Sequence, residues 1–107
     1  MNIAIMHCHK SFRVCTGASC FIAFNEKIKS FDIYKDKDVK LIGYFDCSGC
    51  ETDLSNYKNF LEKIDRLKKE NVERIHVGKC INEKCEKENE IINMLKANGF
   101  DVIRGTH

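Results

Sequence analysis

Stretches with the three- and four-residue apolar spacing of amphipathic helices alternate along this chain with short apolar, β-branched runs. Residues 2–6 read as a first strand. Residues 17–31 then turn helical, with Cys20, Phe21, Phe24, Ile28 and Phe31 recurring at helical steps. Residues 32–38 are charged and read as a turn, and residues 39–45 as a second strand. Leu54, Tyr57, Leu61, Ile64 and Leu67 mark a second helix, with Thr52 or Asp53 placed to cap its start and Asn71 to end it. Residues 74–78 form a third strand. Residues 86–98 form a third helix with Ile91, Ile92 and Leu95 inward, closed by Gly99 as a left-handed C-terminal residue. Residues 100–103 are a last strand. Helices between successive strands demand crossover connections, so the sheet is expected to be parallel with right-handed crossovers. The predicted fold is α/β: one domain over 1–107, a three-layer sandwich with a four-stranded parallel sheet in the flavodoxin-like order 2-1-3-4.

Composition excludes several classes. Eighteen basic and 16 acidic residues give a net charge of +2, interleaved along the chain, which is no electrostatic footprint for nucleic acid. The apolar opening over residues 1–6 is too short for a signal-peptide core and lacks a basic lead. Nothing approaches the ~20 apolar residues of a spanning helix. A soluble, cytoplasmic protein with no membrane partner is expected.

Cysteine is the anomaly. There are seven in 107 residues: Cys8, Cys15, Cys20, Cys47, Cys50, Cys80 and Cys85. An odd number cannot pair fully, and in a reducing compartment dense cysteine points to metal or redox chemistry ahead of disulfides. The bland alternative is buried cysteine used as a small hydrophobe. Placement argues against that for the set. Cys8 follows the first strand, Cys47 and Cys50 the second, Cys80 the third by two residues, and His107 the fourth. In a parallel sheet these strand ends share one edge, where ligands of open α/β sheets bind.

The sharpest local signal is Cys47-Ser48-Gly49-Cys50. A C-x-x-C turn brings both sulfurs to one ion, and the start of the following helix favours thiolate over thiol. Thiolates at about 2.3 Å suit tetrahedral zinc. The same spacing serves an iron–sulfur cluster or a dithiol. Cys85 lies at the start of the third helix. Cys15 and Cys20 sit in and after the first loop, where Cys20 also falls on the apolar stripe of its helix and core packing competes with ligation. His107 is a ligand candidate or an exposed terminus. His7 and His9 flank Cys8 as ligands or outer partners. His76, inside the third strand, reads as a hydrogen-bonded core residue. Asp46 either orients a ligand or faces solvent.

Residues 1–8, Cys15-Thr16-Gly17-Ala18-Ser19-Cys20, residues 41–50, His76-Val77-Gly78-Lys79-Cys80, Cys85 and Gly105-Thr106-His107 together resemble the CGGC-domain family, small prokaryotic Cys/His-rich proteins named for a central Cys-Gly-Gly-Cys. The resemblance covers essentially the whole chain. The first glycine of the naming motif is Ser48 in this sequence, a strained choice if that site needs φ > 0. The resemblance implies metal binding, with zinc suggested, and extends candidacy to Cys8, Cys15, Cys20, Cys47, Cys50, Cys80, Cys85 and His107. It implies no reaction.

The readings that compete are therefore a metal-binding protein, a thiol–disulfide oxidoreductase using Cys47 and Cys50, and an iron–sulfur protein drawing on Cys8, Cys47, Cys50 and Cys80. Thioredoxin-like enzymes place a cis-proline beside their dithiol, and this chain has no proline. Residues 7–13 superficially resemble a cysteine-phosphatase loop, but four residues rather than five separate Cys8 from Arg13, and no glycine lies between them to turn amides toward phosphate. Zinc catalysis would require an open position and a general base. Glu51, Asp46 and His9 are all eligible, and none is singled out, so enzymatic activity stays open.

Overall fold

The computed structural model describes residues 1–8, 14–47, 54–84 and 87–106. In chain order the elements are β1 (Asn2–His7), α1 (Ala18–Glu26), a 3-10 segment (Lys29–Tyr34), β2 (Lys40–Asp46), α2 (Leu54–Lys69), β3 (Val72–Val77), α3 (Lys79–Lys84), α4 (Glu88–Ala97) and β4 (Asp101–Arg104). All strand pairs are parallel and the order is β2-β1-β3-β4, as the alternation of elements predicts. The chain topology places β1 at the centre, and its near-continuous apolar sequence suits a strand buried on both faces. Ile3, Ala4, Ile5 and Met6 are fully buried.

Two apolar clusters lie on opposite faces of this sheet. Ala4, Met6, Ile75 and Val77 pack with Phe60, Ile64 and Leu67 of α2, Ile81 of α3, and Ile92 and Leu95 of α4. Ile3 and Ile5 pack on the other face with Cys20, Ala23 and Phe24 of α1 and with Phe31 and Tyr34 of the 3-10 segment. Period-two alternation in β1 and β3 thus feeds both layers.

Two boundaries differ from the sequence reading. The first helix stops at Glu26 rather than running to residue 31. Lys27 and Lys29 both adopt left-handed φ of 55°, and the Lys27 N–H caps the carbonyls of Ala23 and Phe24. The chain then re-enters as a 3-10 turn that buries Phe31 and Tyr34. The apolar steps that mimic a longer helix are satisfied by two shorter pieces against one core. The predicted third helix is observed as α4, but an additional short helix, α3, begins just after β3 and carries Cys80. The expected ends at Asn71 (φ 60°) and Gly99 (φ 93°) are both left-handed. The proposed caps Thr52 and Asp53 lie outside the described residues.

The α1 face carries a polar chain that runs from the buried His76 and Tyr34 out to the exposed Asp101. The His76 Nδ1–H donates to the Gly105 carbonyl at 3.2 Å, which leaves Nε2 to accept from the Tyr34 hydroxyl at 2.7 Å. Arg74 donates to that same hydroxyl at 3.3 Å and, through Nε, to Asp101 at 2.7 Å. Among the described residues no buried side-chain nitrogen or oxygen lacks a partner, as a well-ordered interior requires.

Burial is the main cause that pushes the His76 pKa down to about 4. The nearby Arg74 charge lowers it further, while the Gly105 carbonyl and Asp101 oppose the shift. The folded protein therefore holds His76 neutral where the unfolded chain, near the ordinary value of 6.5, takes up a proton. Stability from this group is complete above about pH 6.5 and is lost as pH falls toward 4, by about 3 kcal/mol in all. Urea unfolding at several pH values, with the imidazole followed by NMR, checks this; a folded-state His76 that titrates near its ordinary value would sink it. Tyr34→Phe, which leaves Nε2 buried without a donor, is expected to cost about 1–3 kcal/mol.

Candidate metal centre

Hydrogen bonds beyond the strands hold the C-terminal edge of the sheet together. The Gly78 N–H donates to the Met6 carbonyl at 2.7 Å, Cys47 N–H to His7 at 3.3 Å and Gly105 N–H to Val77 at 2.7 Å. Each residue leaving a strand is thereby tied to its neighbour, and the chain segments bearing cysteines start from one line.

Cys8, directly after β1, and Cys47, directly after β2, are both buried on the α2 side of the sheet. Cys80 sits in the first turn of α3 and is partly buried against the same cluster. The Cys8 N–H donates to the Cys80 sulfur at 3.2 Å, so the ends of β1 and β3 meet at a thiol. Gly78 permits this approach. A Cβ there would stand 3.0 Å from the Met6 carbonyl oxygen and 3.4 Å from the Cys80 sulfur.

Cys20 lies inside α1 and is buried on the opposite face. Its thiol donates to the Thr106 hydroxyl at 3.3 Å, a tie between α1 and the segment after β4. Burial pushes the Cys20 thiol above its ordinary pKa; the Thr106 hydroxyl counteracts this, and the nearby Cys15 and Cys80 thiols add to it. Cys20 is thus a neutral thiol at neutral pH in the metal-free protein. Cys15 is exposed. Its sulfur accepts from the Gly17 N–H at 3.4 Å and lies 3.7 Å from the Tyr44 hydroxyl.

Tyr44 faces this side because β2 carries a bulge. Ile3 pairs with Leu41 and Ala4 with Gly43, so Ile42 is an extra residue and is left 42% exposed. Leu41 and Tyr44 both pack with the α1 cluster although they are three residues apart, a phase change that strict alternation forbids and a bulge permits. The Tyr44 ring stacks on His7 with centroids 4.4 Å apart and planes at 20°. Burial above all, then the Cys15 contact, pushes the Tyr44 hydroxyl well above the usual phenol range, with Cys20 and Cys80 adding to it. His7 is buried and hydrogen-bonds through Nδ1 to the Cys8 carbonyl at 3.4 Å. Asp46 is ion-paired with Lys63 of α2.

The structure therefore draws Cys8, Cys47 and Cys80 to one side of the edge and Cys15 and Cys20 to the other. Among the described residues, no group of three His, Cys, Asp or Glu side chains is gathered closely enough to hold a metal ion. Cys50, Cys85 and His107, together with His9 and Glu51, lie outside the described residues. Among the described residues no helix is long and apolar enough to cross a membrane. Tyr44 and Thr106 are the site neighbours that cysteine spacing does not reveal. A Thr adjacent to the terminal histidine and an aromatic three residues before Cys47 were the available signals.

The CGGC domain model matches residues 2–107. The chain belongs to the CGGC-domain family. An uncharacterised protein of Methanocaldococcus jannaschii is 35% identical over 86 residues, which cover 75% of this chain and 62% of that protein. The chain thus spans less than two thirds of that relative's length. No solved structure matches the chain.

Two outcomes test this geometry. In the metal-free protein, alkylation followed by mass spectrometry is expected to label Cys15 faster than Cys8, Cys20 and Cys47; equal rates would contradict the burial pattern. Gly78→Ala is expected to destabilise the fold by about 1–3 kcal/mol in chemical denaturation, because the added methyl presses on the backbone of β1.

Proposed function

We propose that this protein binds a thiophilic metal ion, zinc in the first instance, at the C-terminal edge of its sheet in a reducing cytoplasm. The ligands are drawn from Cys8, Cys15, Cys20, Cys47, Cys50, Cys80 and Cys85, with His107 as the nitrogen donor. The observation that carries the reading is the amide hydrogen bond from Cys8 to the Cys80 sulfur. It shows two strand ends converging on a sulfur that already accepts a backbone donor, as thiolate ligands of metals do through their outer partners. The donor set is soft and suits zinc or an iron–sulfur cluster over calcium or magnesium. Since the described donors do not by themselves form a cage, the reading requires at least one ligand from Cys50, Cys85 or His107. Bound zinc would supply a charge centre that holds its thiolates together. The chain's own contribution is to aim those thiols and keep them ordered by amide hydrogen bonds.

Untagged protein purified without air and assayed by mass spectrometry is expected to carry about one zinc per chain with no visible colour. Cys80→Ser and Cys8→Ser are expected to weaken zinc binding at least about tenfold in chelator competition. Iron with sulfide and a brown spectrum would transfer the site to a cluster. Metal-free protein with a readily reversible Cys47–Cys50 disulfide would replace metal binding by thiol–disulfide exchange. The two apolar clusters are assembled from the chain alone, so removal of metal by a strong chelator is expected to leave the far-ultraviolet circular dichroism essentially unchanged. A protein that unfolds in chelator would instead carry a structural metal.

A further inference from the structure

We infer that Cys8 and Cys47 are a cross-strand redox pair: in the metal-free protein a low-molecular-weight disulfide oxidises them to one disulfide bond that ties the end of β1 to the end of β2. The pairing follows from register. His7 stands opposite Asp46 at the last paired position of the parallel ladder, and the Cys47 N–H donates to the His7 carbonyl at 3.3 Å. That bond continues the pattern of the ladder, so the next position sets Cys8 beside Cys47. Alternation from Ala4 and Met6 brings Cys8 to the α2 face, and alternation from Phe45 brings Cys47 to the same face. Both side chains belong to the apolar cluster on that side, and both are free thiols.

Neighbouring strands lie about 4.8 Å apart, inside the range of about 4.4–6.8 Å between Cα atoms that a disulfide spans. Bonding requires the two Cβ atoms to draw in to about 3.8 Å. Both residues stand just beyond the ends of their strands, where local opening costs least. Cys80 is set differently. Its sulfur accepts from the Cys8 N–H at 3.2 Å, while the preceding Gly78 N–H donates to the Met6 carbonyl. The sulfur thus occupies the place where the β1–β3 ladder would present a carbonyl, in the plane of the sheet. The Cys8 side chain leaves that plane toward α2, alongside Cys47.

The oxidation balances as thiol–disulfide exchange. One cysteine thiolate attacks a sulfur of the small disulfide, breaks its S–S bond and releases one small thiol. The second cysteine thiolate attacks the protein sulfur of this mixed disulfide and displaces the other small thiol. The two cysteines are oxidised, the small disulfide is reduced, and both cysteine protons end on the two released thiols. Cys8 and Cys47 are only 5% and 8% exposed, so the reaction is slower than capture of the exposed Cys15.

The test treats the folded, metal-free full chain with oxidised glutathione, quenches with acid, alkylates the remaining thiols and maps crosslinked peptides by mass spectrometry. Fragmentation within the peptide that carries both Cys47 and Cys50 assigns the linked sulfur. A Cys8–Cys47 link is expected to exceed all other intramolecular links together and to revert fully in a small dithiol. The same link is expected in Cys80→Ser and is expected to be lost in Cys8→Ser. A predominant Cys47–Cys50 or Cys8–Cys80 link overturns the inference, as does a protein that accumulates mixed disulfides with glutathione on Cys8 or Cys47 and never closes them. Wild-type protein alone decides between these outcomes if a variant does not fold. Metal content is measured on separate unoxidised protein, so either result for zinc leaves the disulfide assignment standing on its own map.

Discussion

Register in the parallel sheet is the constraint on which everything at the C-terminal edge depends. β1 is bonded on both sides, to β2 and to β3, and the ladder continues past the strand ends through Gly78, Cys47 and Gly105. A slip of one residue in β1 would exchange its two buried faces and send Cys8 to the wrong side. Because both faces of β1 are covered by apolar clusters of different shape, such a slip exposes or crowds every side chain at once. The precision with which Cys8 meets Cys80 is therefore inherited from the core.

The polar chain from the exposed Asp101 through Arg74 and the buried Tyr34 and His76 to Gly105 acts on the same edge from the α1 side. It fixes the carbonyl of Gly105, and the next residue, Thr106, accepts the Cys20 thiol. Polar groups inside a protein hold a unique geometry only when each is satisfied, and this chain is. Its cost is a histidine that must stay neutral. The same arrangement therefore joins a site-shaping contact to a loss of stability in acid.

The metal reading and the geometry agree in some respects and leave work for the ligand in others. Cys8, Cys47 and Cys80 approach from the α2 side, Cys15 and Cys20 from the α1 side, and Tyr44 stands beside the second group. A centre at this edge would join the layers of the sandwich across the ends of β1 and β3. Family membership accords with such a role, and the archaeal relative shares enough sequence for the same comparison to be made there.

The parallel pairing and the shared edge were legible in the sequence because they follow from local rules, whereas the strand order 2-1-3-4 was expected only by likeness to flavodoxin-like sheets. Helical spacing between short strands demands crossovers, crossovers demand parallel pairing, and parallel pairing collects Cys8, Cys47 and Cys80 where their strands end. The early stop of α1 and the extra helix α3 were not legible; for α1, Ile28 and Phe31 keep helical spacing while two left-handed lysines break the helix between or beside them. Nor was the placement of Tyr44 legible: alternation from Leu41 predicts Gly43 and Phe45 on its face, and only pairing with β1 inserts the bulge at Ile42 that turns Tyr44 toward Cys15. The sequence by itself determined which residues carry soft donors and that Cys8, Cys47 and Cys80 leave their strands at one edge. Tertiary structure decided which sulfur accepts from which neighbour, because hydrogen bonds such as Cys8 to Cys80 join residues whose proximity arises only when distant strands pack.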